Sequence, residues 1–169
     1  MEQKNINWWE PKIGNTEIGK IRNVIKKNFL SEGKLTKEFE NKIKKFLNVK
    51  YCVLTSSGSA ALYLSLKALN IKKGDQVLVP NITYVATVNA IKLAGATPKI
   101  VDVDKKNLSL DIDDLKKKIN KKTKIIMPVH VSGRGGNIKK ILSIANKHGI
   151  KVIEDAAEAF GSKIQKKNL

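Results

Sequence analysis

Two rhythms of apolar residues alternate along this chain. From Thr16, the residues Ile18, Ile21, Val24 and Ile25 recur at helical spacing; after a break over 28–33, Leu35, Phe39, Ile43, Phe46 and Leu47 make a second stripe with lysines opposite. Helices are therefore expected from Thr16 and over about 36–47, with the lysines as a solvated face. Beyond them short Val/Ile-rich runs take turns with amphipathic stretches. The pattern predicts strands near 51–54, 76–79, 99–103, 124–129 and 151–153, and helices near 60–69, 84–93, 112–119 and 138–147, the last ended by Gly149. Strand runs without polar alternation are buried on both faces, and strand–helix alternation with right-handed crossovers gives a mainly parallel sheet covered by helices. The expected fold class is α/β, a three-layer α/β/α sandwich over residues 16–169. Residues 1–15, with Trp8, Trp9 and Pro11 and no periodicity, read as an arm that packs its indoles on the body or on a second subunit.

One junction in this pattern stands out chemically. Between the apolar run at 51–54 and the helix from Ala60 lie five small residues, Thr55-Ser56-Ser57-Gly58-Ser59. A helix N-terminus offers unpaired N–H groups and the positive end of the macrodipole, Gly58 permits close backbone approach, and Ser57 and Ser59 add hydroxyls, so a phosphate would fit. The alternative needs no ligand: Ser57 or Ser59 caps the helix. The spacing matches neither the Walker pattern nor G-x-G-x-x-G, which disfavours nucleotides as the ligand.

The totals narrow the classes. A chain of 169 residues with 41% apolar and 28% charged residues can bury a sizeable core in one domain. Its net charge of +18 raises nucleic acid as a partner, yet only Arg22 and Arg134 are arginines and the lysines recur on every expected helix and loop rather than on one face. A basic nucleic-acid-binding protein thus stays a remote alternative. The residues around Met1 lack the apolar core of a signal peptide and no apolar run reaches membrane-spanning length, so a cytoplasmic protein with no membrane partner is expected. Cys52, the single cysteine, rules out an internal disulfide and reads as an inert core thiol.

In open parallel sheets ligands bind at the carboxyl ends of the strands. The sequence puts polar groups there: Thr55-Ser56-Ser57; Pro80-Asn81 followed by Thr83 and Tyr84; Asp102 and Asp104; His130; and Glu154-Asp155. A phosphate turn, an aromatic ring and a carboxylate suit pyridoxal phosphate, whose pyridine nitrogen needs a carboxylate that keeps it protonated as an electron sink. Asp155 is placed to be that carboxylate, although Asp155-Ala156-Ala157-Glu158 also reads as a capping box. His130 is open to a structural reading too, a neutral histidine bonded at a strand end. No metal site is expected.

Four motifs in order, Ser56-Ser57-Gly58-Ser59-Ala60-Ala61-Leu62, the segment 79–87 from Val79-Pro80-Asn81 to Ala86-Thr87, Pro128-Val129-His130, and the segment 153–161 containing Glu154-Asp155-Ala156-Ala157-Glu158, resemble the DegT/DnrJ/StrS family. This family consists mainly of nucleotide-sugar aminotransferases that use pyridoxal 5′-phosphate (PLP) on fold type I. The resemblance implies that Ser59 and Ala60 bind the cofactor phosphate, Tyr84 stacks on the pyridine ring and Asp155 pairs with its nitrogen. It further implies a nucleotide-sugar substrate, an amino-acid amino donor, a role in glycan or cell-surface polysaccharide precursors, and a homodimer.

The sequence departs from the family at three places. Glu158 stands where many relatives have Gln facing the phenolic oxygen, and a carboxylate there would disfavour a phenolate unless protonated or turned away. Ser132-Gly133-Arg134-Gly135-Gly136 replaces the commoner aromatic-Gly-x-Pro pattern, with Arg134 read as an exposed loop residue and, as the alternative, a contact to a substrate phosphate. The family's Schiff-base lysine lies further downstream than the 14 residues that follow Asp155, so it is expected beyond Leu169, and the small C-terminal domain with it. Lys163, Lys166 and Lys167 fall in an expected surface hairpin and are not that lysine. The chain is thus expected to be an incomplete large domain, inactive alone; a sugar dehydratase of the same family, with histidine in place of that lysine, or an inactive fragment are the alternatives.

Overall fold

A computed structural model describes residues 11–28, 30–31, 33–165 and 167–168. The indole arm at Trp8 and Trp9 lies outside them.

Four parallel strands form the central sheet: β1 (Gln76–Pro80), β2 (Thr97–Val101), β3 (Thr123–Ile126) and β4 (Lys151–Val152), in the order β2-β1-β3-β4. Successive side chains of a strand point to opposite faces, and here both faces are apolar. Val77, Val79, Ile125 and Met127 pack beneath α3 (Gly58–Ala68) and α4 (Val85–Leu93), meeting Leu66, Ala90 and Ile91. Leu78, Val101 and Ile126 face the other way onto α5 (Ile112–Lys118) and α6 (Ile138–His148), meeting Leu115, Ile141 and Ala145. Each such side chain stabilises the fold by about 1.5–3 kcal/mol of transfer free energy, which is why the layers segregate so cleanly. The three-layer α/β/α expectation is met.

The topology also locates a crevice. The chain leaves β1 for β2 in one direction through α4, then returns past β1 to β3 through α5 on the opposite face and continues outward to β4 through α6. Connections therefore diverge between β1 and β3, the kind of switch point where open α/β sheets bind ligands beyond their carboxyl ends.

Two expectations fail. The segment 51–54 forms no strand: Tyr51 and Val53 are 75% and 79% exposed, the Leu54 amide donates to Glu40 Oε1 at 3.0 Å, and no neighbouring strand among the described residues offers a ladder. Cys52 is accordingly half-buried rather than a core thiol. The strand expected at 99–103 begins two residues earlier and ends at Val101, because as the sheet's edge it tolerates polar residues such as Thr97 and Lys99.

The leading helices, α1 (Asn15–Lys26) and α2 (Lys34–Leu47), bury no residue fully, and Ile18, Ile21, Ile25, Leu35 and Phe39 stay exposed. Phe46 at the end of α2 stacks on Phe160 with centroids 5.2 Å apart. The expected hairpin is present as an antiparallel pair, β5 (Lys163–Ile164) with β6 (Lys167–Asn168).

Candidate functional site

The switch point opens into a cleft of about 550 Å³ walled by the start of α3, the turn after β1 and the segments that follow β3 and β4. Gly58, Ser59, Thr83, Tyr84, Thr87, Asp155 and Glu158 all line it.

At the α3 end, the alternatives left open by the sequence separate. Ser57 is the N-cap: its backbone is extended and its Oγ accepts the Ala60 N–H at 3.1 Å. Ser59, one turn position inside the helix, makes no such bond and lies on the cleft. Ala60 is set back, its amide taken by Ser57. The amides of Gly58 and Ser59 have no partner among the described residues, so the positive end of α3 opens onto the cleft with two free donors. A Cβ at Gly58 would meet nothing within 4 Å, so its space is open.

Across the cleft, Tyr84 is the N-cap residue of α4 and is 76% exposed, leaving its ring uncovered. One turn on, Thr87 is wholly buried and donates its hydroxyl to Asp155 Oδ2 at 2.9 Å. Asp155 is only 9% exposed. Its backbone is fixed by a parallel bridge to Val129, with its N–H donated to Pro128 O at 2.9 Å and its carbonyl accepting the His130 N–H at 3.0 Å. No helix follows it. Oδ1 accepts the Ala157 N–H at 3.2 Å in a local turn, so the capping-box alternative is realised only as that turn.

Two other candidates have partners within the protein. His130, 2% exposed, has Nε2 at 2.8 Å from Glu154 Oε2, a buried ring tied at the strand end. Glu158 Oε2 accepts the Ser132 N–H at 2.7 Å, so its carboxylate braces the loop after β3. Asp102 and Asp104 do not reach the cleft: the Asp102 N–H and carbonyl tie to α5 and its N-cap, and Asp104 folds the turn at 104–109. Arg134 is exposed on its loop. Sequence reasoning named Thr83 only as a polar group at a strand end and missed Thr87 as a polar anchor. The only signal was a pair of threonines four apart where α4 begins. Among the described residues no cluster of His, Cys, Asp or Glu could hold a metal ion, and no helix is long and apolar enough to cross a membrane.

A buried carboxylate, an uncovered aromatic ring and a helix N-terminus around one cleft are the donor set that pyridoxal phosphate requires. The DegT/DnrJ/EryC1/StrS aminotransferase family model matches residues 11–169. The chain belongs to this family. It is 38% identical over 162 residues to the GDP-perosamine synthase of Vibrio cholerae, an alignment that takes in 95% of this chain and 44% of that protein. Its fold is similar to NtdA from Bacillus subtilis with bound cofactor PMP (TM-score 0.83, 34% identity, 88% of this chain and 35% of that one). It is also similar to a GDP-4-keto-6-deoxymannose-3-dehydratase with a trapped PLP-glutamate geminal diamine (TM-score 0.91, 29% identity, 98% of this chain and 44% of that one). The chain thus spans less than half the length of these relatives.

Proposed function

We propose that the whole protein is a PLP-dependent aminotransferase that moves an amino group from an amino acid, with glutamate as donor, to a nucleotide-linked keto-sugar used for a cell-surface polysaccharide or glycan. The GDP-linked class is favoured by the name of the Vibrio relative. The observation that carries the reading is Asp155, a buried carboxylate held at the switch point in the same cleft as the α3 N-terminus and the Tyr84 ring.

When bound, the cofactor supplies an electron sink for bond changes at the amino-bearing carbon. In this reading the chain's own groups do the rest. The Gly58 and Ser59 amides, with the Ser59 hydroxyl, would hold the phosphate at the positive end of α3, and the Ala60 amide, already taken by Ser57, would not. Tyr84 covers one ring face, and Asp155 holds a proton on the pyridine nitrogen by its charge. Glu158 lines the cleft while its Oε2 takes the Ser132 N–H. Lys163, Lys166 and Lys167 have no covalent role. A cytoplasmic homodimer completes the reading; the exposed apolar side chains of α1 and α2 are surface a second subunit could cover.

The likeness to a sugar dehydratase favours a second reading, deoxygenation of the same class of sugar. Product analysis separates the two. The test of the site is Asp155→Asn in the whole protein: at saturating cofactor the amino-transfer rate should fall about 100-fold, or about 3 kcal/mol of transition-state stabilisation. A near-wild-type rate would reject the assignment of Asp155.

A further inference from the structure

We infer that Thr87, backed by Thr83, is the positioning residue that aims the Asp155 carboxylate at the cofactor's pyridine nitrogen. The inference rests on the cofactor reading above and adds two residues to it.

The bridge to Val129 fixes the Asp155 backbone, so the freedom that remains is rotation of its side chain. Two donors remove that freedom: the Ala157 N–H on Oδ1 and the Thr87 hydroxyl on Oδ2. A carboxylate can only accept, so the single Thr87 hydroxyl proton is spent on Asp155. The contact between the Thr83 and Thr87 hydroxyls, 2.7 Å apart, then has Thr83 as its donor, in preference to the longer 3.3 Å contact of the same hydroxyl with the Tyr84 carbonyl. The result is a directed relay, Thr83 to Thr87 to Asp155, running inward along the first turn of α4. Thr87 is fully buried, so water cannot replace its hydroxyl without repacking.

The same turn carries Tyr84, whose carbonyl accepts the Thr87 N–H at 3.1 Å. The Tyr84 ring and the hydroxyl that holds the carboxylate are therefore carried by one element. Hydrogen bonds to a charged group in a shielded site are among the stronger ones, and each fixes direction as well as energy.

The test uses the whole protein, stripped of cofactor and reloaded with pyridoxamine 5′-phosphate carrying 15N in the ring, a probe that needs no covalent link. Ring-nitrogen protonation is read from the 15N shift at neutral pH, and affinity from fluorescence titration. Wild type should show a protonated nitrogen and Asp155→Asn an unprotonated one. Thr87→Val, which keeps shape but removes the hydroxyl, should move the signal part-way toward that of Asp155→Asn and weaken binding about tenfold. Thr87→Ser should restore both, and Thr83→Ala should show a smaller change of the same sign. If Thr87→Val lowers only the melting temperature and keeps the wild-type shift and affinity, Thr87 is a structural residue and the inference is overturned while the Asp155 assignment stands. An unprotonated nitrogen in wild type overturns the cofactor reading, and this inference falls with it.

Discussion

The Asp102 backbone N–H points at Asp114, donating to its Oδ2 at 2.7 Å, and Lys118 Nζ approaches the same oxygen at 2.7 Å. One carboxylate on α5 thereby secures the end of β2 and a basic side chain one turn along its own helix. The backbone bond, with Lys118 second, holds the Asp114 carboxyl below its usual value. A carboxyl whose folded-state pKa is depressed contributes stability that is present above its unfolded value, near 3.8, and is lost as the pH falls through the folded value. Stability measured by urea unfolding should thus show an acid limb below about pH 4 that is shallower in Asp114→Asn. At pH 7 that variant should lose about 0.5–1 kcal/mol, a modest amount because the pair is partly solvated. An unchanged acid limb would mean the contact carries no net energy.

Ser57 and Ser59 stand two residues apart and should respond to alanine in opposite ways. Ser57 caps α3 through the Ala60 amide, so Ser57→Ala should lower stability by about 1 kcal/mol. Its effect on pyridoxamine 5′-phosphate affinity should be secondary. Ser59→Ala removes a hydroxyl that faces the cleft and caps nothing, so stability should hold while affinity weakens by about 1–2 kcal/mol, the range for one bond to a charged group. Thermal unfolding and titration calorimetry on both variants read the two effects separately. Equal losses of affinity would show that Ser59 is not a phosphate ligand.

Much of this architecture was legible in sequence because β1 and β3 are runs of Val, Ile and Leu that only a doubly covered strand can bury. The site's elements were legible for the same reason: strand ends mark where polar groups gather. What failed was whatever depends on a distant neighbour. Nothing in Tyr51-Cys52-Val53-Leu54 says whether a strand lies alongside, and composition alone made the segment look paired. Asp102 sits at a strand end as the rule for ligand sites asks, yet α5 captures its backbone. The Thr87 to Asp155 bond joins residues 68 positions apart, and a buried threonine in a helix looks in sequence like any other helical position.

The Glu158 carboxylate secures a residue held in a strained conformation. Ser132 sits at φ 52° and ψ 34°, in the left-handed region that costs a residue with a Cβ about 1–2 kcal/mol, and Glu158 Oε2 takes its N–H at 2.7 Å. Glu158→Ala should therefore destabilise the protein by about 1 kcal/mol. Ser132→Gly relieves the backbone and should stabilise wild type slightly. In the Glu158→Ala background it should recover more, since the two changes act on one loop and cannot be additive. Glu158→Gln keeps an acceptor for the Ser132 amide, so both stability and pyridoxamine 5′-phosphate affinity should stay within about threefold of wild type. A carboxylate facing the phenolic oxygen would behave differently: its neutralisation would tighten cofactor binding and alter the cofactor's absorption at neutral pH. That result would place the second oxygen of Glu158 on the cofactor while Oε2 still braces Ser132.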